Sequence, residues 1–149
     1  MKTVNIDISK KDILEVVAIN TAYTGAKNPG DSSIFERVAT ISEDDEMLSR
    51  HWPVVFGSLS DKLRNFIVDS QYGADSFSIS LELSGAFDEA MLPGVKNDLF
   101  SYVAAAMTSH WFLFSFPEKW EEWEKRGREL LDSAVAKLCV RRRPVRNRV

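Results

Sequence analysis

The chain has 149 residues, of which 44% are hydrophobic, a single cysteine and a formal net charge of −3. This length suffices for one well-buried core and is too short for two, which predicts a single domain. One cysteine, Cys139, excludes an internal disulfide framework and is typical of a reducing compartment. No segment approaches the roughly 18 apolar residues of a membrane span, and the start lacks a signal-peptide run. We therefore expect a soluble intracellular protein with no membrane partner.

Charge is divided unevenly along the chain. Residues 1–140 contain 14 basic and 22 acidic residues, a net charge of −8, whereas 141–149 contain five arginines and no acid. This asymmetry predicts an acidic body followed by a basic C-terminal tail. The predicted boundaries are 1–143 for the domain and 144–149 for the tail.

The first elements are a strand and a helix. Residues 3–8 alternate polar and apolar side chains, the pattern of a strand with one buried face. Ser9 and Asp12 form a helix-capping arrangement, and the helix that follows is expected to end near Gly25. A short helix is predicted through 34–38 after a loop rich in turn residues.

A second capping pair, Ser42 and Asp45, heads a longer helical pattern whose apolar stripe extends over 48–66. Pro53 interrupts it, and an interior proline costs about 3 kcal/mol because it removes a backbone hydrogen bond and clashes with the preceding turn. Two arrangements remain open: one kinked helix, or two helices that separate near His51.

The clearest strand pattern is 75–83, "DSFSISLEL", in which apolar and polar residues alternate throughout. Such a strand has one buried face and needs a partner for its backbone groups. The opening strand is the expected partner, and a strand from a neighbouring subunit is the alternative.

Two helices complete the chain. Pro93 suits the first turn of a long helix that extends past His110, and Pro117 begins a last helix through Leu138, with arginines at its end and Pro144 as a stop. The predicted order is β-α-α-α-β-α-α. This is a mainly α fold, a helical bundle of about four to five helices with two short strands.

No catalytic or metal-binding motif appears in the sequence. His51 and His110 have no second histidine or cysteine at ligand spacing, so we expect partly buried histidines rather than a zinc site. Cys139 stands near arginines, but the negative end of a helix dipole opposes the activation of its thiol. We therefore predict no enzyme activity, no cofactor and no small-molecule substrate, with an enzyme that lacks familiar motifs as a minor alternative.

Four acids, Glu43, Asp44, Asp45 and Glu46, stand at the head of a predicted helix. Acids in a first helical turn complement the positive end of the helix dipole, which explains the group without a ligand. An acidic docking surface for a protein partner is the alternative function of these residues.

The segment around "HWFLFSF" is unusually aromatic, with Trp111, Phe112, Phe114, Phe116 and Trp120. Its apolar side chains point to all sides, so one core stripe cannot hide all of them. Two interpretations remain open: a protein interface, or a corner between helices that aromatic rings fill.

Five arginines end the chain: Arg141, Arg142, Arg143, Arg146 and Arg148. The first three are expected to complement the dipole at the end of the last helix. The arginines beyond Pro144 have no such local role, so we predict an intermolecular contact, with an acidic protein neighbour favoured over the DNA backbone.

Several stretches resemble small structural proteins of tailed phages and prophages: "YTGAK", "SEDDEMLSRHW", "SFSISLEL", "SHW" and the terminal "RRRP". The resemblance spans nearly the whole chain. It implies a head-to-tail connector, neck or adaptor subunit, mostly helical, that forms an oligomeric ring between portal and tail. It also implies portal and tail proteins as partners, a host cytoplasmic stage before assembly, a place in the virion afterwards, and no cofactor.

Two function hypotheses of different classes follow. The favoured one is a non-enzymatic virion assembly protein, in which a basic tail and an acidic body make head-to-tail contacts between copies. The alternative is a small helical regulatory module that binds nucleic acid non-specifically through the arginine tail.

Overall fold

A computed structural model describes residues 1–26, 40 and 44–145 of the chain. Its elements in chain order are β1 (Lys2–Ser9), α1 (Lys10–Ala26), α2 (Asp45–Ser49), α3 (Trp52–Leu63), β2 (Ile67–Tyr72), β3 (Ser76–Leu83), a short 3₁₀ turn (Glu89–Met91), α4 (Leu92–Ser115) and α5 (Pro117–Leu138). The fold is mainly α, as the periodicity predicts, and the small sheet packs on the helices as part of one domain. No helix in the described ranges is long and apolar enough to cross a membrane.

The sheet is antiparallel with the strand order β1-β3-β2. Ile6 lies opposite Ile79 and Ile8 lies opposite Phe77, so the apolar residues of both strands share one buried face. The opening strand is thus the partner of β3 within the same chain, which confirms the favoured pairing. The opposite face of the sheet carries polar residues and is open.

The sequence predicted two strands, and this number was wrong, because residues 67–72 form a third strand. In this strand Ile67 is half-buried and the five residues after it are exposed, so β2 has no alternating apolar pattern to reveal it. The register also shifts between Ile67 and Asp69, which is typical of an edge strand. Phe66, expected in the preceding helix, lies instead in the turn before β2.

The predicted start of the first helix is confirmed, and the structure decides between the two arrangements left open around Pro53. The Ser9 hydroxyl accepts a hydrogen bond from the backbone N–H of Asp12 at 3.4 Å, as the capping arrangement predicts. The helical pattern around Pro53 breaks between α2 and α3, next to His51, so that the proline falls in the first turn of α3, where its missing N–H costs nothing. Ser42 and the predicted helix at 34–38 lie outside the described residues.

Helices α4 and α5 form an antiparallel hairpin that makes the main helix contact of the molecule. They approach closely at Gly127, where an added Cβ would lie 3.6 Å from the Tyr102 ring and 3.7 Å from Ala105. Helix α1 also packs against α4, and the side-chain amide of Asn20 donates to the Thr108 hydroxyl at 3.4 Å. The core lies between this helical layer and the buried face of the sheet.

Candidate functional site

The two histidines, far apart in sequence, meet in the structure. The rings of His51, just before α3, and His110, on α4, stack with centroids 4.8 Å apart and planes within 11°. Burial lowers the pKa of His51, and burial together with the neighbouring His51 charge lowers the pKa of His110. Both imidazoles are therefore held in the neutral form at neutral pH. The sequence predicted partly buried histidines but gave no sign of the stack.

Four exposed apolar residues lie close along the chain to the two stacked histidines. Met47 and Val54 lie within one turn of His51, and Leu113 and Phe114 lie within one turn of His110. Their exposed fractions are 56% for Met47, 55% for Val54, 43% for Leu113 and 73% for Phe114. We call these four residues the bundle-end patch. Single exposed apolar residues are common, but a group contributed by three helices is typical of an interaction surface.

The aromatic segment divides between core and surface. Phe112 and Phe116 are buried in a cluster with Trp123, and their ring centroids lie 6.3 Å apart. Phe114 is mostly exposed, because two residues of a helix turn the side chain by about 200°. Phe112 and Phe116 therefore fill the helix corner and are buried from any partner. An interface through Phe114, which is exposed, stays a prediction. Trp111 and Trp120 are half-buried against the same cluster.

The acidic group lies at the start of α2, as far as it is described. Asp45 and Glu46 occupy the first turn of this five-residue helix, where they face the positive end of its dipole. Asp44 precedes the helix and is half-buried, and Glu43 lies outside the described residues. Asp45 also lines an open cleft of about 740 Å³ between the start of α1 and α2.

Lys10, at the edge of that cleft, is a buried lysine that the sequence did not single out. Its Nζ donates to the carbonyl oxygen of Gly73 at 2.8 Å and lies 4.1 Å from the centre of the Tyr72 ring. Its backbone N–H donates to the carbonyl of Asp75 at 3.0 Å. The charge of Lys10 is thus engaged in holding the turn between β2 and β3 against the start of α1, which is a structural role.

A second buried charge lies inside the α4–α5 hairpin. Asp98 is 6% exposed and accepts hydrogen bonds from Lys137 Nζ at 2.7 Å and from the Ser133 hydroxyl at 2.8 Å. In the sequence, Asp98 lies between Val95 and Leu99 of the apolar stripe, and this position indicates a buried acid. Because its partners are lysine and serine of the neighbouring helix, Asp98 ties the hairpin together.

The first arginines of the tail are fastened to the domain. The backbone N–H of Arg142 donates to the carbonyl of Ala86 at 2.7 Å, and the N–H of Asp88 donates to the carbonyl of Val140 at 3.0 Å. The Arg142 guanidinium donates to the carbonyl of Gly85 at 3.2 Å. Helix α5 ends at Leu138, so these arginines follow the helix instead of forming its last turn, and the expected dipole role falls to Lys137. The side chains of Arg141, Arg142 and Arg143 are exposed, and Arg146 and Arg148 lie outside the described residues.

The described ranges contain no group of three or more histidine, cysteine, aspartate or glutamate side chains arranged to hold a metal ion. The bundle-end patch and the exposed arginines are therefore the features that invite a functional explanation. Comparisons of the chain with protein-family models, with curated proteins and with solved structures each find no match.

Proposed function

We propose that this protein is a non-enzymatic assembly subunit of a tailed-phage or prophage particle, a connector or neck protein that works in a ring between portal and tail. The bundle-end patch is the observation that carries the proposal. The resemblance of the sequence to phage structural proteins supplies the biological setting, with portal and tail proteins and further copies of the chain as partners.

The patch supplies the free energy that such an assembly needs. Burying apolar surface stabilises a contact by about 25 cal/mol per Å², so one fully covered phenylalanine contributes roughly 2 kcal/mol. Phe114 and Leu113 lie in the last turn of α4, and Met47 and Val54 lie within one turn of His51, whose ring stacks on that of His110. Apolar anchors grouped in this way form the desolvated centre of typical interfaces.

A ring places unlike surfaces of neighbouring subunits against each other. In a head-to-tail arrangement the patch of one copy meets a different surface on the next copy or on the portal, and the rotation between copies closes the ring. The acidic body and the arginine tail add complementary charges between copies, which steer association more than they strengthen it.

Native mass spectrometry of the protein with the portal protein of the same genome tests the proposal. The wild type should join the portal ring, and the double variant Leu113→Ser, Phe114→Ser should lose at least tenfold in affinity. A matched control, Ile19→Ser with Val68→Ser, removes two equally exposed apolar residues elsewhere and should bind like the wild type. A wild type that never joins any ring or particle contradicts the proposal.

A second candidate, non-specific binding of nucleic acid, draws on the exposed side chains of Arg141, Arg142 and Arg143. Filter binding of duplex DNA at two salt concentrations tests it. Affinity for DNA falls as salt rises, and each neutralised phosphate makes the slope of log affinity against log salt more negative by about 0.9. Retention that disappears in the triple serine variant of these arginines supports this candidate. Absence of retention at low salt removes it.

A further inference from the structure

The two edges of the sheet differ. Strand β1 pairs with β3 over all eight of its residues without a register shift, and it has no neighbour on its other side among the described residues. The opposite edge, β2, is shorter and its register is shifted. A straight edge strand presents a row of unpaired N–H and C=O groups, which is a template for another strand.

A groove lies along the first half of this free edge. One side is β1, and the other side is the 3₁₀ turn and the first turns of α4. Its volume is about 810 Å³, and it is lined by Lys2, Thr3, Val4, Asn5, Phe87, Glu89, Leu92, Pro93 and Lys96. We call it the β1 groove. Val4 and Leu92 are half-buried and Phe87 is buried, so the groove offers apolar surface directly beside an edge that no other described strand covers.

The surroundings of the β1 groove are basic in a chain whose net charge is negative. Lys2 and Lys96 stand on its two sides, and Arg141 pairs with Phe87 in an isolated β-bridge, which places the exposed arginines 141–143 at one end. The acids of this region are Glu82, which lies opposite Thr3 in the sheet, Asp88 and Glu89, and Glu89 is paired with Lys2 at 3.0 Å. Five cations against three acids favour an acidic occupant.

We propose that the β1 groove binds an extended acidic segment of a partner protein, which adds to the sheet as a fourth strand beside β1. Main-chain hydrogen bonds to the edge supply affinity, every second side chain enters the apolar groove, and the cations select acidic residues. The groove and the bundle-end patch lie at opposite ends of α4, about 30 Å apart for a helix of this length, so the two surfaces can be occupied together. The inference does not depend on the connector assignment.

Selection of random 12-residue peptides displayed on the surface of phage particles, with the purified full chain as bait, provides the probe. The selected peptides should be enriched in aspartate and glutamate and should alternate with apolar residues. Their addition should slow hydrogen exchange of the β1 amides. Failure to select any peptide, selection of basic peptides, or protection confined to the bundle-end patch would each overturn the proposal.

Two variants test the groove without loss of the fold. Lys2→Glu with Lys96→Glu should weaken the selected acidic peptides at least tenfold, whereas Lys11→Glu with Lys125→Glu, two exposed lysines elsewhere, should change their affinity less than twofold. Thr3→Pro should abolish binding, because Thr3 lies opposite Glu82 in a pair that leaves its N–H on the outer side of β1. Ser70→Pro, at an outward-facing position of the opposite edge, should not. Circular dichroism of both variants verifies that they fold. Equal losses in the paired variants contradict the proposal. Concentration-dependent protection of β1 without peptide also contradicts it, since the occupant would then be a second copy.

Discussion

The two ends of helix α4 present surfaces of opposite character. At its end, near the stacked rings of His51 and His110, the helices expose apolar side chains. At its start, the helix borders the outer edge of β1, which has no further strand beside it in the described part of the chain, and a groove with lysines on both sides. Aromatic content alone does not identify the surface, because Phe112 and Phe114 are two positions apart, and the first is buried while the second is exposed.

The difference also separates the physics of the two proposed contacts. An apolar patch gains affinity from desolvation, and salt leaves this contribution nearly unchanged. A basic groove gains part of its affinity from charge, and at 0.1 M salt the attraction between charges decays over a distance of about 10 Å. A subunit with two unlike ends is suited to a place between two unlike neighbours.

The largest effect on stability is expected for Phe112, the buried residue next to the bundle-end patch. Phe112→Ala should lower the free energy of unfolding by about 3–5 kcal/mol, because it opens a cavity in the cluster with Phe116 and Trp123. Phe114→Ala should change it by less than about 0.5 kcal/mol, since this side chain is mostly exposed. Urea unfolding of both variants measures the difference. Equal destabilisation would remove the division of the segment into core and surface.

The next effect concerns the hairpin that joins the two ends. Asp98→Ala should lower the free energy of unfolding by about 2 kcal/mol, because Lys137 and Ser133 lose their buried acceptor. This loss is smaller than that expected for a fully buried ion pair, since the Lys137 side chain is one-third exposed. Asp132→Ala, which removes an exposed ion pair with Lys62, is the control and should cost less than about 1 kcal/mol. A smaller loss for Asp98 than for Asp132 would contradict the structural role of the buried pair.

Removal of the chain end tests the tail. Deletion of residues 145–149 should change the free energy of unfolding by less than about 0.5 kcal/mol, since the backbone hydrogen bonds that fasten the described part of the tail reach only to Arg142. Assembly with the portal should weaken, as the arginines beyond Pro144 are predicted to make an intermolecular contact. Thermal unfolding and native mass spectrometry measure the two results. Lost folding with unchanged assembly would reverse the assignment.

The smallest effect is the pH dependence of stability that arises from the two stacked histidines. Because the folded-state pKa of each stacked histidine lies below 6.5, the unfolded chain takes up protons first as the pH falls. Stability from this source is complete above pH 6.5 and decreases as the pH falls through the folded-state pKa values. The double variant His51→Gln, His110→Gln removes both histidines of the chain. Its urea unfolding midpoint should therefore vary less between pH 6.5 and 5 than that of the wild type. A slope as steep as in the wild type would exclude the stack as its cause.

The sequence predicted the elements that have a strong period and missed those held by contacts between distant residues. Phe77 and its alternating neighbours identify β3 with its buried face, but β2 has a single half-buried residue, Ile67, and hence no pattern. The aromatic segment has apolar residues on all sides, so only the packing of α5 decides that Phe112 is covered. The histidine stack depends on how α3 lies against α4, and Lys10 depends on the position of the β2–β3 turn; neither arrangement is local in sequence.

Electron cryomicroscopy of particles produced from the same genome tests the central claim most directly. The connector assignment predicts a ring of this chain between portal and tail, with Leu113 and Phe114 of each copy covered by a neighbouring subunit. Particles with complete heads and tails that lack the chain at this joint, or a ring in which the bundle-end patch faces solvent, would contradict the account.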